Sequence, residues 1–102
     1  MDINKYCSIF EALGFEIRLK IFKYIVLSGK EGVAPKHIIK KFNVDSGTLD
    51  FHLKKLQKVK LIAKKQAGKG SSYCVSSSIP KAFVQIFLIE LANEGAAYIP
   101  LL

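Results

Sequence analysis

Residues 45–62 read Asp-Ser-Gly-Thr-Leu-Asp-Phe-His-Leu-Lys-Lys-Leu-Gln-Lys-Val-Lys-Leu-Ile. Leu49, Leu53 and Leu56 recur at i, i+4 and i+7, the spacing that lines up side chains on one face of an α-helix. Asp45 stands just before this stripe, where its carboxylate can accept from the first free backbone N–H groups. The stretch therefore predicts a helix from Asp45 to about Val59. At roughly 100° per residue, Gly47, Phe51, Lys54 and Lys58 point away from the leucines, with Thr48, Asp50 and Lys55 on the flanks. Small and hydrogen-bonding groups at one end and lysines toward the other are what a helix needs to enter the major groove of duplex DNA. The dipole at the N-terminal turn, around Ser46, adds attraction for a phosphate. Asp50 can accept from a cytosine amino group or pair with Lys54 at i+4. Phe51 is the odd member, because a large ring opposite the core costs apolar exposure unless it has a partner, such as a thymine methyl or another protein surface. His52 flanks the stripe and is expected to make a local hydrogen bond or a phosphate contact.

Working outward, Pro35 suits the first turn of a short helix with Ile38, Ile39 and Phe42 inward, and Asn43-Val44-Asp45 reads as a turn. Two helices so joined make a helix-turn-helix over about 35–59. Downstream, residues 61–66 and 72–75 are strand-like and flank a turn with two glycines, which predicts a two-stranded wing over about 61–76. Lys64, Lys65 and Lys69 lie in or beside it, and the Gly68-Lys69-Gly70 tip permits close approach to a phosphate backbone or entry of Lys69 into a minor groove.

Upstream, Ile3, Tyr6/Cys7, Phe10 and Leu13 predict a first helix, 3–13, ended by Gly14. Ile17, Ile21 and Ile25 form one stripe and Leu19, Phe22 and Val26 another, so a second helix over about 16–27 is apolar on two sides. Pro80 opens a last helix, 80–93, that is apolar almost all round. The two terminal helices are expected to form a subunit interface with Tyr6, Ile9, Phe10, Phe83, Phe87, Leu88 and Leu91 in it. The alternative is that the last helix caps the monomer core. The element order is that of a winged helix: mainly α with a small β-hairpin, about five helices and a two-stranded wing, in a single domain spanning 1–102.

A chain of 102 residues, half of them hydrophobic, has material for one core and no second folded unit. Its apolar runs, 24–27 and 86–89, are too short to cross a bilayer. The opening Met-Asp-Ile-Asn-Lys-Tyr lacks a secretory pattern. Cys7 and Cys74 are far apart and without CxxC spacing, which fits a reduced, cytoplasmic protein. The net charge of +8 is concentrated between Lys30 and Lys69, where eleven lysines face only Glu31, Asp45 and Asp50. Such a basic middle between neutral ends is the footprint of a nucleic-acid surface, since fixed lysines displace counterions from phosphates. A solvated lysine-rich face is the other reading.

These residues resemble a family. Ala12-Leu-Gly-Phe-Glu-Ile-Arg-Leu-Lys-Ile-Phe22 is similar to the ALADPTRLRIL opening of ArsR-type winged-helix repressors. Residues 45–62 resemble their SQSTVSRHLKVLREAGLV, and residues 67–73 their REGRWVYY. The likeness covers about residues 9–76. The Arg18-Leu19 pair, and the His52-Leu53 pair with Leu56, are its most specific points. It implies a prokaryotic homodimeric transcriptional repressor, joined through its first and last helices, that leaves its operator when an effector binds. The effector is not named by the sequence. Metal-sensing members carry Cys-x-Cys on the third helix, where this chain has Ala34, Pro35 and Lys36. Others use Asp and His on the last helix, which here offers Glu90. No metal site and no cofactor is expected, and His37 and His52 lack the spacing of a zinc pair.

The partners expected are double-stranded DNA and a second copy of the chain, with no membrane. A thiol-responsive repressor using Cys7 and Cys74 is an alternative, although relatives of that kind place their cysteines on the second and last helices. Another is a winged-helix module for protein interaction, with Phe51 as its anchor. An enzyme is not expected: there is no P-loop, HExxH or GxSxG motif, and too few His and Cys to assemble a nucleophile, base and orienter.

Overall fold

The computed structural model describes residues 3–67 and 70–79 together with Gln85. Apart from Gln85, the predicted last helix, 80–93, lies outside the described residues, and with it Phe83, Phe87, Leu88 and Leu91, as does Lys69. The observed order is α1 (Ile3–Ala12), α2 (Glu16–Leu27), a 3-10 turn (Gly29–Glu31), α3 (Pro35–Phe42), α4 (Ser46–Lys58), β1 (Ile62–Ala67) and β2 (Gly70–Val75). No described helix is long and apolar enough to cross a membrane. This is a winged helix, mainly α with one antiparallel hairpin.

Each element forms for a local reason. Pro35 occupies the first turn of α3, and Asn43 ends that helix in the left-handed conformation, φ 54°. Asp45 caps α4: its Oδ1 accepts from the Thr48 backbone N–H at 2.7 Å, and its Oδ2 accepts from the Thr48 hydroxyl at 3.0 Å. The backbone bond and then the hydroxyl bond hold the Asp45 carboxyl below the usual carboxylate range.

The other end of α4 is closed by a Schellman motif. Lys60 N–H donates to Gln57 O at 2.9 Å and Leu61 N–H to Leu56 O at 3.1 Å, while Leu56 and Leu61 are both fully buried. The motif places Lys60 at φ 61°, where side chains are disfavoured and glycine is not. Lys60→Gly is therefore expected to raise the unfolding free energy by about 0.5–1 kcal/mol, read by urea denaturation.

The core is built by Ile9 and Leu13 from α1 and its end, Ile21, Phe22 and Ile25 from α2, Ile38 from α3, Leu49, Leu53 and Leu56 from α4, and Leu61, Ile62 and Tyr73 from the wing. Burying each large aliphatic or aromatic side chain is worth about 1.5–3 kcal/mol. Ile9, expected at a subunit interface, is instead only 2% exposed within one chain. It shares the inward face of α1 with Ala12 and Leu13 at i+3 and i+4, and one residue on, about 100° around the helix, Phe10 is 62% exposed. Tyr6 is half-buried.

The second strand of the wing runs longer than its side chains indicated, and the first is shifted by one residue. Pairing extends from Ile62↔Val75 to Ala67↔Gly70, because the backbone ladder continues through residues with no strand preference of their own. A feature the sequence did not predict anchors the wing. Val33 and Tyr73 exchange both backbone hydrogen bonds at 2.9 Å, so the segment before α3 adds a bridge to the edge of β2. Lys65 Nζ donates to Lys30 O at 3.4 Å and the Ser72 hydroxyl to Glu31 O at 3.3 Å, tying the same hairpin to the 3-10 turn.

Candidate nucleic-acid interface

The stripe Leu49, His52, Leu53 and Leu56 faces the core, which leaves Ser46, Gly47, Thr48, Asp50, Phe51, Lys54, Lys55 and Lys58 exposed on one surface of α4. This is the outer face expected from the sequence, with one change. His52 is 8% exposed, and its Nδ1 accepts from Arg18 Nε at 3.2 Å. Neither expected role is what the structure shows: the hydrogen bond is not local but reaches a residue 34 positions away on α2, and the buried imidazole faces inward, away from a phosphate contact. The reason lies in the spacing: His52 stands at i+3 from Leu49, inside the buried stripe.

Arg18, on the helix expected to be apolar on two sides, is 3% exposed. Ile21, Phe22 and Ile25 follow it at i+3, i+4 and i+7, which puts it on the buried face, and that spacing is the sequence signal for its burial. Its Nη1 donates to Ala12 O at 2.9 Å, one of the last carbonyls of α1, which have no partner within their own helix. Its guanidinium carbon lies 4.6 Å from the Phe15 ring centroid and 5.7 Å from that of Phe51. A buried cation is thus held by a carbonyl, an imidazole and two aromatic faces, and burial lowers its pKa. Phe51, 54% exposed, also meets groups of its own chain: Arg18, the Lys55 ammonium at 5.4 Å and the His52 ring at 5.6 Å.

Burial first, and the Arg18 charge second, depress the pKa of His52 below its ordinary 6.5. A protonated imidazole could not accept from Arg18 at all. The unfolded chain takes up this proton near pH 6.5 and the folded chain only lower, so stability is full above that value and is lost as pH falls through the folded pKa. The thermal midpoint is expected to drop between pH 7 and pH 5, and to drop less in His52→Gln, when followed by circular dichroism.

On the same surface, Asp50 Oδ2 lies 2.9 Å from Lys54 Nζ, an exposed i, i+4 pair that raises the lysine pKa through the hydrogen bond and its charge. Of the two expected roles of Asp50, pairing with Lys54 is present in the free protein. On the wing, alternation along the strand separates Lys64 from Lys65. Lys64 lies opposite Tyr73 on the face that carries Ile62, and Lys65 lies on the other, toward Lys30. Cys7 is exposed on α1, and Cys74 is half-buried on β2 with its thiol 3.8 Å from Ala63 O. Among the described residues no three His, Cys, Asp or Glu side chains come together as metal ligands would.

A family model described as the B-block binding subunit of TFIIIC matches residues 15–84, from the start of α2 through the wing and beyond. The chain belongs to this family. The match contains α4, both wing strands and Arg18, so the elements that build the exposed surface are the ones the family shares. Among solved structures, HlyU from Vibrio cholerae superposes with a TM-score of 0.73 at 19% identity, covering 90% of this chain and 99% of that one. Reduced HlyU from the same organism gives 0.69 at 20% identity, covering 86% and 88%. At these identities the likeness is one of fold. No curated protein matches the sequence significantly.

Proposed function

We propose that this member of the B-block binding subunit family is a sequence-specific DNA-binding transcriptional regulator of the ArsR type, a homodimeric cytoplasmic repressor without the metal-ligand motifs of the metal-sensing members. The observation that carries the reading is the outer face of α4. Ser46, Gly47 and Thr48 stand exposed at its N-terminal end and Lys54, Lys55 and Lys58 beyond them, and the wing adds the exposed Lys64. The first group offers small, hydrogen-bonding contacts to base edges and the second offers charge to phosphates. The family's description as a binding subunit supports the same direction. Exposed Ile3 and Phe10 on α1 support a second copy of the chain as partner. The contacts of Phe51 with Arg18 and Lys55 weaken the rival reading of that ring as a protein-interaction anchor.

The test is fluorescence anisotropy on duplexes that carry paired half-sites about 34 Å apart, over a salt series. Two chains per duplex are expected, with affinity falling steeply as salt rises. Lys64→Ala with Lys69→Ala should weaken all sequences alike and lower the log–log slope by about 0.9 for each phosphate no longer neutralised. A slope unchanged by the double substitution removes the wing from the DNA surface, and one chain per duplex removes the dimer.

A further inference from the structure

A cavity of about 490 Å³ opens beside α4, between its C-terminal half, the end of α1 and the turn into α2. Small-molecule sites run roughly 300–1,000 Å³. Phe15 and Phe51, both more than half exposed, line it, and the buried Arg18 and His52 also contribute to its wall. Lys55 and Lys58 line it too, against Glu11 as the one acid in the lining, so three cations meet one carboxylate. Exposed aromatic rings beside a highly charged surface lose stability unless something covers them. The Arg18 guanidinium carbon lies 4.6 Å from the Phe15 centroid and 5.7 Å from that of Phe51, and the Lys55 ammonium 5.4 Å from the latter, yet both residues keep more than half of their surface exposed.

We propose that this cavity is a binding site for a small planar aromatic carboxylate. The ring of such a ligand can stack on Phe15 or Phe51. Its carboxylate can accept from Lys55 or Lys58 in the field of Arg18. A cationic ring is repelled by those three groups, and a simple inorganic anion leaves the phenylalanines uncovered. The cavity shares Phe51, Lys55 and Lys58 with the outer face of α4. On the nucleic-acid reading proposed above, on which this consequence rests, ligand and duplex therefore exclude one another, which makes the site that of an effector.

The test is an NMR titration of the full chain, without nucleic acid and at constant ionic strength, with benzoate as the probe. Saturable shifts are expected at Phe15, Phe51 and the Arg18 Nε–H, with a dissociation constant on the order of 1 mM for a fragment of this size. Cyclohexanecarboxylate, benzyl alcohol and inorganic phosphate should each bind about tenfold more weakly or worse. Phe15→Leu should weaken benzoate by a similar factor, with amide shifts elsewhere confirming its fold, and Lys55→Gln provides a second variant at an exposed position. Failure of benzoate to saturate by about 20 mM, shifts centred on another surface, or equal binding of phosphate and benzoate would each overturn the site. Since no duplex is present, none of these outcomes depends on whether the chain binds DNA. Release of a bound duplex by benzoate from wild type, but not from Phe15→Leu, supports the competition; saturation without release overturns it.

Discussion

Gly32→Ala is expected to remove about 3–5 kcal/mol of stability, as a sum of backbone strain and the broken bridge, a large part of the 5–15 kcal/mol typical of a domain. Gly32 sits at φ 73°, ψ −170°, a region open essentially to glycine alone. A Cβ there would lie 2.6 Å from the Tyr73 carbonyl oxygen and 3.1 Å from its carbon, both backbone atoms that cannot swing aside. Relief requires the Val33–Tyr73 bridge to open, with its two hydrogen bonds and the anchorage of the wing. Gly29→Ala is the control. Gly29 also has a positive φ, 68°, but a Cβ there meets nothing within 4 Å, so only the backbone term of about 1 kcal/mol should appear. Urea denaturation of the two variants measures the difference. Equal losses would mean that the bridge gives way without cost, and the wing would then not depend on residues 32 and 33 for its position.

The contrast between those glycines shows what the sequence could and could not convey. The helix-turn-helix was legible because its signals are local: the leucine stripe of α4, the Asp45 cap, Pro35 at the start of α3 and the three-residue turn all act within a few residues of themselves. Gly32 carries no such signal. Its neighbours in sequence mark a loop, and what demands a glycine is the backbone of Tyr73, 41 positions away. The 3-10 turn and the bridge were illegible for the same reason, since a pair of backbone hydrogen bonds has no side-chain pattern.

The candidate site was legible in its exposed part and opaque in its support. Lysines and small residues on the outer face of α4 follow from subtracting the leucine stripe, and the structure places them there. His52 and Arg18 were harder, because residue type and position argue in opposite directions. Their helical spacing puts both on buried faces, while their polarity argues for the surface. The conflict resolves only when each is seen as the other's partner, 34 residues apart. These two positions are also the most specific points of the likeness to ArsR-type repressors.

That contact carries the last prediction, that Arg18→Ala destabilises the protein by about 3–5 kcal/mol. Removing the side chain leaves the Ala12 carbonyl and His52 Nδ1 without the donors they have at 2.9 and 3.2 Å, at about 1–3 kcal/mol for each buried group left unsatisfied. It also leaves a cavity against Phe15. Arg18→Lys is no substitute, because a point donor on a different stem cannot reproduce the fork that serves both acceptors. Arg18→Leu combined with His52→Phe should lose less than the sum of the two single changes, by at least about 1 kcal/mol, since the pair leaves together and neither partner is stranded. Urea denaturation of the four proteins closes the cycle, and strict additivity would show that the contact contributes nothing of its own. The consequence reaches beyond stability. Arg18 binds the end of α1, the helix whose exposed face is proposed to meet a second subunit, to the middle of α4, the helix proposed to enter the groove. Loosening it lets the two recognition helices of a dimer vary in separation and angle, so duplex affinity should fall further on paired half-sites than on a single half-site, at temperatures where Arg18→Lys remains fully folded.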